Sequence, residues 1–234
     1  MTTLIPRRGI AALALAFLMV AAQSAHADMV VVRTNGGPLK PGQTVATGAT
    51  ITLPAGVTAT LVGQDGKTLT LNGPYSGTPS PASAAAGDPK VVTALSRLLI
   101  ASAADSSALG VTRGTAIRDP YAIELVGGTH CQVPSKQPYF VRGDTTGPFQ
   151  IVITAATGDE STVNWTPGSA RASWPDTLRF DAGTYLLRRP DRPDPVRLSV
   201  RRVPQSAQEP AAAAAWMADH GCSNQALALL KAMP

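Results

Sequence analysis

Between residues 42 and 77, threonine alternates with aliphatic residues at a period of two, and turn-forming residues break the alternation every few positions. Thr50 and Thr52 interleave with Ile51 and Leu53, and Thr58 and Thr60 with Val57, Ala59 and Leu61. A period of two sends alternate side chains to opposite faces of a pleated strand, so this stretch suits half-buried strands with threonine outward and does not suit an amphipathic helix. Gln64-Asp65-Gly66-Lys67 supplies a reversal, because Asp65 and Gly66 tolerate the positive φ of a tight turn, and residues 68–71 return beside the preceding strand. Ahead of this region, residues 29–32 form a short apolar strand. Asn35-Gly36-Gly37-Pro38 closes it, and Lys40-Pro41-Gly42-Gln43 makes a second turn.

The order of these pieces resembles the FecR-type periplasmic domain, a small all-β module. The matching segments are Pro41-Gly42-Gln43-Thr44-Val45, Thr47-Gly48-Ala49-Thr50-Ile51, Thr58-Ala59-Thr60-Leu61 and Asp65-Gly66-Lys67-Thr68-Leu69-Thr70-Leu71, within residues 28–77. The resemblance implies an exported binding or assembly module. A leader peptide is read here in place of the family's cytoplasmic sigma-factor-inhibiting segment and transmembrane helix, so transcriptional signalling is not expected.

That leader is expected over residues 1–27. Arg7 and Arg8 precede an apolar run over residues 10–22, and Ala25-His26-Ala27 places small residues where signal peptidase cuts. The run is short for about 30 Å of hydrocarbon, so cleavage before Asp28 is expected rather than anchoring. Pro6 and Gly9 do not match a twin-arginine signal, which leaves the general secretory route. A periplasmic or secreted protein follows, with no membrane span after cleavage. The formal charge is +5; Arg7 and Arg8 account for two of the 20 basic residues, leaving 18 against 15 acidic ones, about +3. So mild an excess, without a basic face interleaved with aromatics, gives no reason to expect a nucleic-acid partner.

An exported chain with two cysteines, Cys131 and Cys222, is expected to join them in one disulfide. A nucleophile pair of His130 and Cys131 is disfavoured, because neighbours on a strand point to opposite faces. A zinc site built from His130, Cys131, His220 and Cys222 is disfavoured as well, since adjacent residues do not converge on one ion. No metal and no cofactor are expected.

Residues 78–117 read as a Pro- and Ala-rich linker followed by a helix. Asp88-Pro89 starts the helix, and Val91, Val92, Leu95, Leu98 and Leu99 share one face that packs across a sheet. The chain is expected to return to loop from residue 106. Residues 118–204 show about seven short strands, at 121–126, 139–142, 149–155, 162–166, 171–174, 184–188 and 196–202, the pattern of a β-sandwich. Within them Asp181-Ala182-Gly183-Thr184-Tyr185 resembles the tyrosine corner of immunoglobulin-like domains. Leu187 stands where those domains carry a cysteine, so the resemblance extends to the sandwich architecture alone. Residues 205–234 form a helical hairpin: Glu209-Pro210 opens the first helix, His220-Gly221 ends it and Ser223 caps the second, with Cys222 at the turn. The expected fold class is mainly β: a FecR-like module plus a β-sandwich, with one linking helix and a C-terminal helical hairpin.

Candidate binding residues are basic. Arg188, Arg197, Arg201 and Arg202 belong to one Arg-rich region, in which Arg197 and Arg201 face outward on the same side of a strand and could dock phosphate or carboxylate groups; a solvated strand face is the plainer reading. Arg142-Gly143-Asp144 and Asn164-Trp165-Thr166 match short recognition and glycosylation patterns but carry little information alone. Asp159-Glu160 reads as a turn, and neither a nucleophile elbow nor a phosphate loop is present. The expectation is a non-catalytic binding or assembly module of the cell envelope, partnered by an envelope protein or polymer. The alternative is a structural subunit of an envelope complex, contacting its neighbours through the helix face and the hairpin.

Overall fold

A computed structural model describes residues 27–80, 87–108, 119–134 and 136–233. Residues 1–26 of the leader expected over 1–27, most of the expected linker and residues 109–114 of the loop expected from 106 fall outside these residues. The chain is mainly β, with several sheets and three α-helices among the described residues. In order it forms β1 (Ala27–Thr34), β2 (Thr44–Ala46), β3 (Ile51–Leu53), β4 (Thr58–Gly63), β5 (Thr68–Asn72), β6 (Tyr75–Gly77), α1 (Pro89–Ala108), β7 (Ala122–Glu124), β8 (Gly128–Gln132), β9 (Tyr139–Val141), β10 (Phe149–Ala155), β11 (Glu160–Trp165), β12 (Arg171–Ser173), β13 (Gly183–Arg188), β14 (Val196–Arg202), α2 (Pro210–Asp219) and α3 (Ser223–Ala232).

The first sheet runs β2-β1-β4-β5, and β3 and β6 pair beside it. Met29 and Val31 of β1 join Ala59 and Leu61 of β4 in one core, while Val30 and Val62, from the intervening positions, enter a second core made with the helices. Both faces of β4 are therefore covered. Thr60, expected outward, is buried at 6% exposure because the helical layer lies over its face, whereas Thr68 and Thr70 of β5 stay exposed. The β4–β5 turn closes with Gly63 N–H donating to the Lys67 carbonyl at 3.0 Å, and the Asp65 carboxylate accepts the Lys67 N–H at 3.1 Å. Gly66, at φ +75°, lies against α2: a Cβ there would come within 3.0 Å of the Ala212 Cβ.

Asp88 caps α1 by accepting the Lys90 N–H, and the helix continues to Ala108, past the residue where a loop was expected. Its Val92, Leu95, Leu98 and Leu99 are buried against the first sheet and against α2 and α3. The alanines of α2 allow close approach, and Ala211, Ala213, Ala214 and Ala215 are all buried. Cys222, rather than Ser223, stands at the N-cap of α3, and its side chain makes no capping bond; instead its sulfur is bonded to Cys131.

A five-stranded sheet in the order β11-β10-β13-β14-β8 and a three-stranded sheet β12-β9-β7 enclose the third core. Ile123, Phe140, Ile151, Ile153, Trp165, Tyr185, Leu187 and Leu198 fill it. One strand was not anticipated. β8 pairs in parallel with β14, Val200 opposite His130 and Arg201 opposite Cys131, because Gly127 and Gly128, at φ +79° and +104°, reverse the chain where a strand was expected to end. His130 thus faces the sandwich interior, and Cys131 faces the helices.

The outer edge of β8 would leave its polar backbone buried, and the side chain of Gln225 stands in for a further strand. Its Oε1 accepts the Cys131 N–H at 2.8 Å, and its Nε2 donates to the carbonyls of Pro120 at 2.7 Å and Cys131 at 3.3 Å. Removing one partner from such a buried set costs more than the bonds themselves contribute. Gln225→Ala is expected to lower stability by about 2 kcal/mol in urea denaturation; an unchanged midpoint would show that the edge finds other partners.

Candidate functional site at the open edge of β10

The β10–β11 hairpin fixes which way each backbone group of β10 points. Ala155 N–H donates to the Asp159 carbonyl at 2.9 Å, and Gly158 N–H donates back to Ala155 at 3.0 Å. Antiparallel ladders alternate, so Ala155, Ile153 and Ile151 bond toward β11, while Thr154, Val152 and Gln150 point toward β13. On that side Thr154 lies opposite Leu186 and Val152 opposite Arg188, where the pairing ends. The next position across from Gln150 is Pro190, which has no N–H and cannot continue a ladder. The chain turns away, and Gln150 keeps its backbone N–H and carbonyl directed into a gap with no strand among the described residues beside it.

That gap is a groove of about 680 Å3, lined by Pro148, Phe149, Gln150, Asn164, Trp165 and Arg188, among others. Phe149 and Trp165 meet edge to face at 5.7 Å. The guanidinium carbons of Arg142 and Arg189 each lie 5.8 Å from the Phe149 ring centre. Arg189 is fixed: its Nε donates to Asp191 at 2.9 Å, its Nη1 to the Leu125 carbonyl at 2.7 Å, and it holds the Asp191 carboxyl below its ordinary pKa by hydrogen bonding. Arg188 is freer, at 3.4 Å from Glu160, and both partners are more than half exposed, which makes the pair weak. Trp165 is 2% exposed, and its indole N–H is buried without an acceptor among the described residues.

Residues singled out in the sequence fall at several places. Arg197 and Arg201 are exposed on the outer face of the five-stranded sheet with Arg188, and Arg197 lies opposite the partly exposed Leu186. Arg202 leaves that group: it sits one residue out of phase and donates to Asp181 at 2.9 Å. Asp181 also pairs with Arg179 at 2.6 Å. The Tyr185 hydroxyl accepts the Asp181 N–H at 2.9 Å and lies 3.0 Å from the Asp181 carbonyl and 3.1 Å from that of Arg179, closing the turn that enters β13 beside Gly183. Arg142 is not an exposed recognition residue, since it donates to the carbonyls of Ser169 at 2.9 Å and Thr166 at 3.1 Å, and Asp144 accepts from Thr146. His130 packs at 6.1 Å from Phe180 inside the sandwich, and His220 stacks on Trp216 at 3.8 Å.

Sequence reasoning gave Arg188 but missed Phe149, Gln150 and Trp165 as parts of one site. The signal available was Pro190: two residues beyond the last residue of a strand, it ends pairing on one side of a neighbouring strand, but which neighbour depends on sheet order. Among the described residues, no helix is long and apolar enough to cross a membrane. Comparison with known proteins finds no family model that matches the chain and no matching curated protein.

Proposed function

We propose that the protein is an exported, non-catalytic FecR-like module of the bacterial cell envelope that binds an envelope protein or polymer through the groove beside β10. The observation that carries this reading is the groove itself: a weakly held arginine, the Phe149 ring and an open strand edge line one concavity. The bonded Cys131–Cys222 pair supports an oxidising compartment. Arg197 and Arg201 extend the positive surface from the groove over the outer sheet face. The alternative of a structural subunit has less to rest on, because the apolar faces of α1 and of the hairpin are spent on each other and on the first sheet.

Co-sedimentation of the mature protein with washed envelope fragments tests the reading. Wild type is expected to sediment in a salt-sensitive manner, and Arg188→Glu to weaken retention about tenfold. Equal retention of the two, or none by either, would count against the groove as the binding surface.

A further inference from the structure

We infer that the groove takes an extended, carboxylate-bearing polypeptide segment, which adds as a short strand to β10 at Gln150. This rests on the proposed binding role and names its ligand class. The open groups of Gln150 are one backbone donor and one backbone acceptor on the same side of a strand, and a second strand is the partner whose spacing matches them. Pro148, which also lines the groove, has no N–H of its own to satisfy.

The aromatic residues argue against a sugar. Glycan recognition uses an open aromatic face, but Trp165 is 2% exposed and Phe149 already carries two guanidinium groups. Charge makes the same selection. Arg189 is committed to Asp191 and Leu125, whereas Arg188, directly opposite Val152 at the end of the ladder, holds only a long, exposed contact with Glu160. An acidic side chain or chain terminus entering the groove can displace Glu160 and form a two-pronged pair with the guanidinium. Arg197, diagonally across from Arg188 on the same face, adds attraction at longer range.

The test is amide and indole NMR on the 15N-labelled mature protein, titrated with three probes: a degenerate pool of short Thr/Val/Glu peptides with free C-termini, the same pool with N-methylated backbones, and peptidoglycan glycan strands freed of their stem peptides. The free peptide pool is expected to shift the Gln150 amide and the Trp165 indole resonances. Backbone methylation and Arg188→Glu are each expected to weaken binding about tenfold, while Arg179→Ala, outside the groove, leaves it unchanged. Glycan strands that shift these resonances when peptides do not would overturn the peptide inference and leave the binding role standing. If neither probe class shifts them while the protein still sediments with envelopes, both the inference and the groove as binding surface fall.

Discussion

Removal of the Cys131–Cys222 bond, by reduction or by Cys131→Ala with Cys222→Ala, is expected to lower the stability of the protein by about 4–5 kcal/mol. The bond closes a loop of 91 positions, and in the chain-entropy account a cross-link that long removes a large share of the conformations open to the unfolded chain. The folded side of the balance points the same way. The α2–α3 hairpin is short and alanine-rich, with little apolar surface per residue, and isolated helices of this length are marginal in water. Besides apolar packing, its anchors are the disulfide, the Gln225 side chain and Arg33 of β1, which donates to the carbonyls of Leu230, Lys231 and Met233 at 3.2, 3.1 and 2.9 Å. Guanidinium denaturation of oxidised and alkylated protein checks the magnitude, and hydrogen exchange should show α2 and α3 losing protection before β10 and β13. A loss of under about 1 kcal/mol would mean that packing and the bonds of Gln225 and Arg33 hold the hairpin without the disulfide.

Acidification should destabilise the protein through His130. The ring is 5% exposed inside the sandwich, and burial lowers its pKa from 6.5 to about 4. Between those values the unfolded chain binds a proton that the folded chain refuses, so stability is complete above pH 6.5 and falls as the pH drops toward 4. The accumulated loss is about 3 kcal/mol at the lower end. Urea midpoints from pH 7 to pH 4 measure it, and His130→Phe, which keeps a ring beside Phe180, should flatten that limb. Parallel pH profiles for wild type and variant would show that other groups govern acid stability.

Local patterns in the sequence carried the mainly-β class, the α1 start at Asp88-Pro89 and the two helices after Glu209, because alternation and caps are set by residues a few positions apart. The features they did not reveal depend on which distant elements meet. Thr60 reads as a solvent-facing residue until α1 and α2 cover it; Arg202 reads as part of a basic group until Asp181 takes it; β8 is hidden because Gly127-Gly128 looks like a terminus. The groove belongs to the same class. Pro190 is plain in the sequence, but its effect on Gln150 requires knowing that β13 lies beside β10.

The bonds from Arg33 to the last turn of α3 span about 200 positions of chain, |i−j| being 197, 198 and 200. Contacts so distant in sequence are the slowest to form, because the intervening polymer must be gathered first. α1 follows the first sheet closely in the chain and packs on it, whereas the bonds from Arg33 must wait for α3. Anchorage of α3 on β1 is therefore expected to be a late step of folding, after the sheets and α1 have formed from nearer neighbours.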